Sequence, residues 1–154
     1  MKRLELLIPP PVVMLLVGLI MWLLARMFPS LAAAWLPDTL MAVVLVVLGL
    51  LIGLAGVATF KRADTTIDPK RPSGASALVS SGIYRFSRNP MYLGVLLILA
   101  GWAVYLGNLL SAGLGLVIFV VYITRFQIIP EERLLQEKFG TAFLAYKAKV
   151  RRWI

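Results

Sequence analysis

Along most of the chain the apolar positions do not alternate with polar ones; they run together. Four such runs stand out, at about Val12–Phe28, Thr39–Phe60, Pro90–Leu106 and Leu109–Ile129. Each holds roughly 17–23 residues, which at about 1.5 Å per helical residue reaches across a hydrocarbon core. Inside lipid only a helix pairs every backbone group within one such segment. The pattern predicts an all-α fold: a polytopic membrane bundle of about four transmembrane helices, one membrane domain over residues 1–154. Phe28-Pro29-Ser30, Leu36-Pro37-Asp38, Gly107-Asn108 and Pro130 mark the breaks.

Beyond Pro130 the period changes. Leu134, Leu135, Phe139, Ala142, Phe143, Tyr146, Val150 and Trp153 recur at helical spacing, with Arg133, Lys138, Lys147, Lys149 and Arg151 between them. This predicts a C-terminal amphipathic helix in a cytoplasmic tail, 130–154, lying on an anionic leaflet, with a break at Gly140. The segment 61–89, between the second and third runs, is a long cytoplasmic loop. Its Asp64–Pro69 stretch and its aromatic residues point to a functional role rather than a bare connector.

Composition sharpens this reading. Apolar residues make up 60% of the chain, and only 15% is charged, yet the net charge is +9. All 16 basic residues except Arg26 fall before the first run, between the second and third, or at and after the end of the fourth. That clustering is the positive-inside signature, so both termini are expected in the cytoplasm of an inner-membrane-type protein, with no nucleic-acid partner. Arg26, near the far end of the first run, can snorkel to the opposite surface. Lys2 and Arg3 are not followed by a small-residue cleavage site and a soluble domain, so a cleaved signal peptide is not expected. Gly49 and Gly53 form a small-xxx-small pair suited to close helix packing, within the bundle or between two copies.

Histidine and cysteine are both absent. Thiolate and imidazole chemistry are thereby excluded, and no metal-binding set is present. There is no phosphate-binding glycine loop or nucleophile elbow. Ionisable groups are nearly missing from the spans, which argues against a transporter.

Three constellations carry the remaining chemistry. In Gly82–Gly94, Asn89 is a good helix N-cap and Pro90 a good first residue, so the third span opens with free N–H groups beside Arg85 and Arg88. Such an end favours a carboxylate or phosphate, although a capped helix with snorkelling arginines reads the same way. Glu131-Glu132 follow Pro130 directly. They suit either the first turn of a new helix or bonding to ligand hydroxyls or a cation. The aromatic tail can anchor the chain and can also close over a ligand.

In order and spacing these blocks resemble the superfamily of integral-membrane isoprenylcysteine carboxyl methyltransferases and phospholipid methyltransferases. The matching residues are Gly82-x-Tyr84, Arg88-Asn89-Pro90-Met91-Tyr92-Leu93-Gly94, Glu131-Glu132, and Phe139-Gly140 with Phe143 and Tyr146. The resemblance covers about residues 60–154. Two positions depart from the family pattern: Asn89 stands for its usual His, and Phe143 for a Tyr. Asn89 therefore cannot serve as an imidazole base.

The resemblance implies S-adenosyl-L-methionine as methyl donor and direct in-line transfer to an acceptor arriving from the lipid. It places the donor among Tyr84, Arg88, Asn89, Pro90, Tyr92, Leu93, Gly94, Glu131, Glu132, Phe139 and Tyr146. Arg88 suits its carboxylate and the two glutamates its hydroxyls and ammonium. Arg125, near the cytoplasmic end of the fourth run, can either orient an anionic acceptor or simply snorkel, and Glu131, Glu132 or Tyr92 would assist an acceptor that must lose a proton. The acceptor can be a carboxylate, a thiol or a lipid amine. A non-catalytic membrane scaffold is the alternative, and it should not bind the donor.

Overall fold

A computed structural model describes residues 5–33, 38–63 and 78–154. Lys2, Arg3, the Leu36-Pro37 break and positions 64–77 of the long loop lie outside the described residues. Five helices follow in order: α1 (Pro10–Met27), α2 (Thr39–Arg62), α3 (Pro90–Leu106), α4 (Leu109–Ile123) and α5 (Ile129–Lys149). A π-helical turn, Thr124–Ile128, joins the last two. No strand forms among the described residues beyond one isolated bridge, Ala32 to Asn108. The all-α membrane bundle expected from the sequence is what forms.

Local chemistry explains the element ends. Pro10 and Pro90 open their helices, where a missing N–H costs nothing. The Asp38 side chain accepts from the Met41 N–H at 3.1 Å, and Asn108 accepts from the Ser111 N–H at 3.0 Å. Gly107 ends α3 in the left-handed region at φ 58°, which permits the tight turn into α4.

Helices α1, α2 and the run from α4 into α5 are long and apolar enough to cross a membrane. Helix α3 is apolar but shorter, at 17 residues. Large apolar side chains such as Leu15, Leu19, Leu51 and Leu54 point outward, as a hydrocarbon solvent allows.

Helices α2 and α3 cross closely because glycine faces glycine. A Cβ at Gly49 or at Gly94 would lie 2.5 Å from the other's carbonyl oxygen. The small-xxx-small pair is thus used inside the bundle, at least through Gly49. Val13, Val17 and Met21 of α1 meet Leu99 and Ala103 of α3, and Phe119 and Ile123 of α4, in the main core. Buried polar groups fasten these contacts. The Ser111 hydroxyl donates to Met21 O at 2.8 Å, and the Asn108 amide donates to Phe28 O at 2.8 Å.

Between α1 and α2, over α3, lies an apolar crevice of about 680 Å³. Met14, Gly18 and Trp22 form one wall and Ala42 and Val46 the other. On its floor the Trp102 indole donates to Gly18 O at 3.0 Å.

The fourth span departs from the expected pattern. Its regular α-helix stops at Ile123, and the chain continues through the π turn into α5 with helical backbone. Pro130 does not break it, being a first-turn residue of α5. The expected break at Gly140 is present: its φ of 50° and ψ of −121° interrupt α5. Only glycine takes such a conformation without strain.

Candidate functional site

The break at Gly140 turns the end of α5 back toward the entrance of α3. Three consecutive carbonyls of the returning tail then meet the Ser87–Asn89 segment. The Arg88 N–H donates to Arg151 O at 3.0 Å, the Asn89 amide to Arg152 O at 2.9 Å, and the Arg88 guanidinium to Val150 O at 2.8 Å and Lys147 O at 3.1 Å. The Tyr146 hydroxyl donates to Tyr84 O at 2.7 Å. A 3₁₀ turn, Gly82–Arg85, presents that carbonyl, and Gly82 starts it at φ 57°.

Asn89 occupies the N-cap position, but its side chain makes no capping bond. Its amide is used on the tail instead, while its own N–H donates to the Ser87 hydroxyl at 3.1 Å.

Glu132 sits at the centre of this junction. Arg88 donates to one carboxylate oxygen at 2.7 Å. Arg152 grips both, through Nε at 3.1 Å and Nη2 at 2.8 Å. Burial alone would raise the Glu132 pKa, but the two arginines outweigh it and hold the group below the ordinary carboxylate range.

Its neighbour Glu131 has the opposite character. It accepts a hydrogen bond from the Tyr92 hydroxyl. Burial pushes its pKa up to about 7; the Tyr92 bond pulls back, and the Glu132 charge adds to the rise. Two adjacent carboxylates are thus held in different states, one fixed as an anion and one poised near neutrality. Tyr84 is buried, and its phenol is driven upward by burial and then by Tyr146 and Glu131. Burial raises Tyr146 to about 12, with Arg88 opposing. Both phenols therefore stay protonated.

Other expected site residues fall in different surroundings. Gly94 packs against the backbone of Gly49 and Gly53, so its open side is taken by a helix. Pro90 is buried, and Leu93 is partly buried, its N–H bonded to Asn89 O at 3.0 Å. Phe139 is partly buried beneath the Lys138 ammonium, 5.9 Å from the ring centre. The Tyr84 ring meets Phe60 of α2 edge-on at 5.2 Å.

Arg125 pairs with Glu5 at 3.1 Å rather than with Glu131 or Glu132. The other oxygen of Glu5 binds Arg133 at 2.7 Å. Sequence reasoning passed over Arg152, Ser87 and Glu5. Arg152 was one of many tail cations, Ser87 one hydroxyl among several, and Glu5 carried a single signal: it is the only acid before the first span.

Two buried side-chain polar atoms have no partner among the described residues: Arg88 Nε and the Thr124 hydroxyl. No cluster of acidic residues there could hold a metal ion.

Comparison with known proteins bears on the same blocks. The phospholipid methyltransferase family matches residues 37–142, more than half of the chain. Protein-S-isoprenylcysteine O-methyltransferase A of Arabidopsis thaliana is 33% identical over 127 residues, covering 80% of this chain and 62% of that protein. The protein-S-isoprenylcysteine O-methyltransferase of Saccharomyces cerevisiae is 32% identical over 115 residues, covering 73% of this chain and 46% of that one. The chain thus spans less than two thirds of either. An uncharacterized protein of Haemophilus influenzae is 53% identical over 64 residues, its full length and 42% of this chain. No solved structure matches.

Proposed function

The chain belongs to the phospholipid methyltransferase family, and from that premise we propose that it is a membrane methyltransferase using S-adenosyl-L-methionine on a lipophilic acceptor. One observation carries this reading. Three blocks far apart in sequence, Tyr84–Gly94, Glu131-Glu132 and the tail through Arg152, converge on one polar junction at the end of an otherwise apolar bundle.

The donor's chemistry fits the groups left over there. Arg88 Nε is a buried donor without an acceptor, which a carboxylate would satisfy. Among the described residues Glu131 is held by Tyr92 alone, so its carboxylate has acceptor capacity for an ammonium or a ribose hydroxyl. Tyr84, Phe139 and Tyr146 offer aromatic walls. When bound, S-adenosylmethionine supplies an activated methyl group on a sulfonium.

The residues themselves orient and exclude water. The Arg88–Glu132–Arg152 cluster holds the tail across the entrance of α3, so a ligand beneath it is shielded from solvent. Glu131, with a pKa of about 7, is suited to take a proton from an acceptor amine at neutral pH. A carboxylate or thiolate acceptor needs no such step. By the positive-inside rule the junction faces the cytoplasm, where the donor is supplied, while the acceptor enters from the bilayer.

Calorimetry on the purified protein tests the donor site. Glu131→Gln is expected to weaken binding of the donor and of S-adenosylhomocysteine by about tenfold, the loss of one charge-assisted contact. No donor binding by the wild-type chain would leave the scaffold reading in its place. Incubation with labelled donor and a lipid extract, read by mass spectrometry, then identifies the acceptor as the species gaining one CH2.

A further inference from the structure

The π turn and the segment before α1 fit each other in a way that donor binding does not require. Pro130 has no N–H, so the carbonyl four residues back, Phe126 O, lacks its helical partner. An unpaired carbonyl at the edge of the hydrocarbon is costly. The Leu6 N–H fills it at 2.9 Å. The Gln127 amide answers by donating to Ile8 O at 2.8 Å. Residues 5–9 thus form a strap across the turn.

The strap is set in an unfavourable backbone. Leu6 has φ 57°, and it is the one non-glycine residue at positive φ among the described residues. That conformation is uncommon for a leucine, and such outliers persist where surrounding contacts impose them. Its result is to lay the Glu5 carboxylate between Arg125 and Arg133, one oxygen to each.

Two arginines eight residues apart, Arg125 in the π turn and Arg133 in α5, each taking one oxygen of a single anion, match a phosphate as well as a carboxylate. Their side chains are 38% and 48% exposed, so an incoming anion can reach them without first opening the protein. They lie where the fourth span ends and the first begins, the depth at which lipid head groups sit.

We propose that Arg125 and Arg133 form a seat for the phosphate of a membrane phospholipid, and that the Glu5 strap fills this seat when no lipid does. The seat lies apart from Glu131 and Glu132, whose partners are Tyr92, Arg88 and Arg152. The inference stands whether or not the lipid is the methyl acceptor, because binding is read with no methyl donor present.

The test uses the full chain in detergent micelles, titrated by native mass spectrometry with phosphatidylglycerol and, separately, with diacylglycerol, which lacks the phosphate. Glu5→Gln is expected to bind phosphatidylglycerol about tenfold more tightly than wild type, the gain from removing a competing state populated about nine times in ten. Adding Arg125→Gln to that variant should abolish the gain. Diacylglycerol should bind all three proteins alike. Equal phosphatidylglycerol affinity for wild type and Glu5→Gln overturns the proposal. Displacement of the lipid by millimolar inorganic phosphate overturns the lipid assignment in favour of a free anion. A second reading uses wild type alone, so it does not depend on a variant folding. Saturating phosphatidylglycerol should speed hydrogen exchange at the Leu6 amide, and unchanged protection there refutes displacement of the strap.

Discussion

The chain contains two clusters of the same composition, each a carboxylate shared by two arginines, and they differ in almost everything else. In Arg88–Glu132–Arg152 the Arg88 and Glu132 side chains are 8% and 11% exposed, Arg152 alone is half-open, and two backbone carbonyls of the tail also bind the Arg88 guanidinium. In Arg125–Glu5–Arg133 the carboxylate is covered, but both arginines are open to solvent. Desolvation separates their roles. A buried pair that loses one partner leaves a charge with nowhere to go, whereas an open pair can trade its anion for water or another ligand. The first cluster is a fastening and the second is exchangeable.

The largest effect expected from that contrast follows Glu132→Ala. The buried Arg88 would lose its anion while still facing the half-buried Arg152, at a cost of about 3 kcal/mol. The readout is thermal unfolding in detergent, together with faster proteolysis of the segment after Gly140. An unchanged midpoint would mean that Glu132 is no more a fastening than Glu5.

Glu131, on the same turn as Glu132, tests whether burial without an arginine gives a third behaviour. Its pKa of about 7 means that the ionised fraction grows as pH rises from 6 to 8. Binding of the cationic donor should strengthen over that range, and Glu131→Gln should flatten the profile. The sign for stability is opposite. The group is raised above its ordinary value of 4.5, so its contribution is complete below that value and is lost as pH rises through about 7. Unfolding midpoints across that window should fall for wild type and stay level for the Gln variant.

Arg152→Lys sharpens the comparison further. It keeps the charge but removes the fork that holds both Glu132 oxygens, so a loss of about 1 kcal/mol is expected. The smallest effect belongs to Glu5→Gln, whose unfolding midpoint should stay near the wild-type value because its arginines can turn to solvent. A large drop there would erase the distinction between the clusters.

The spans were readable because in lipid the constraint is local. Each helix must satisfy its own backbone, so length and hydropathy suffice for α1 and α2. The entrance of α3 was readable for the same reason, with Asn89-Pro90 announcing a helix start. What approaches Gly94 was not readable: only the antiparallel pairing with Gly49 decides for a helix. Arg152 was hidden because its partner lies 20 residues away along the chain, across the bend at Gly140. Asn89 shows the same limit. Its residue type predicts a cap, yet the tail carbonyl competes for its amide and wins. The π turn was invisible because nothing local in Thr124–Ile128 demands it, although the Pro130 that follows makes sense of where it sits.

The crevice between α1 and α2 bears on how this protein can be handled outside a cell. A hollow of about 680 Å³ walled almost wholly by carbon does not hold water well, having few groups to bond it. In a bilayer, alkyl chains are at hand to occupy it. Solubilisation replaces those chains with the tails of whatever surfactant is chosen. The seating of α1 therefore becomes a property of the surfactant as much as of the sequence. Tail length and stiffness should govern how well the purified protein keeps its shape, quite apart from the head group.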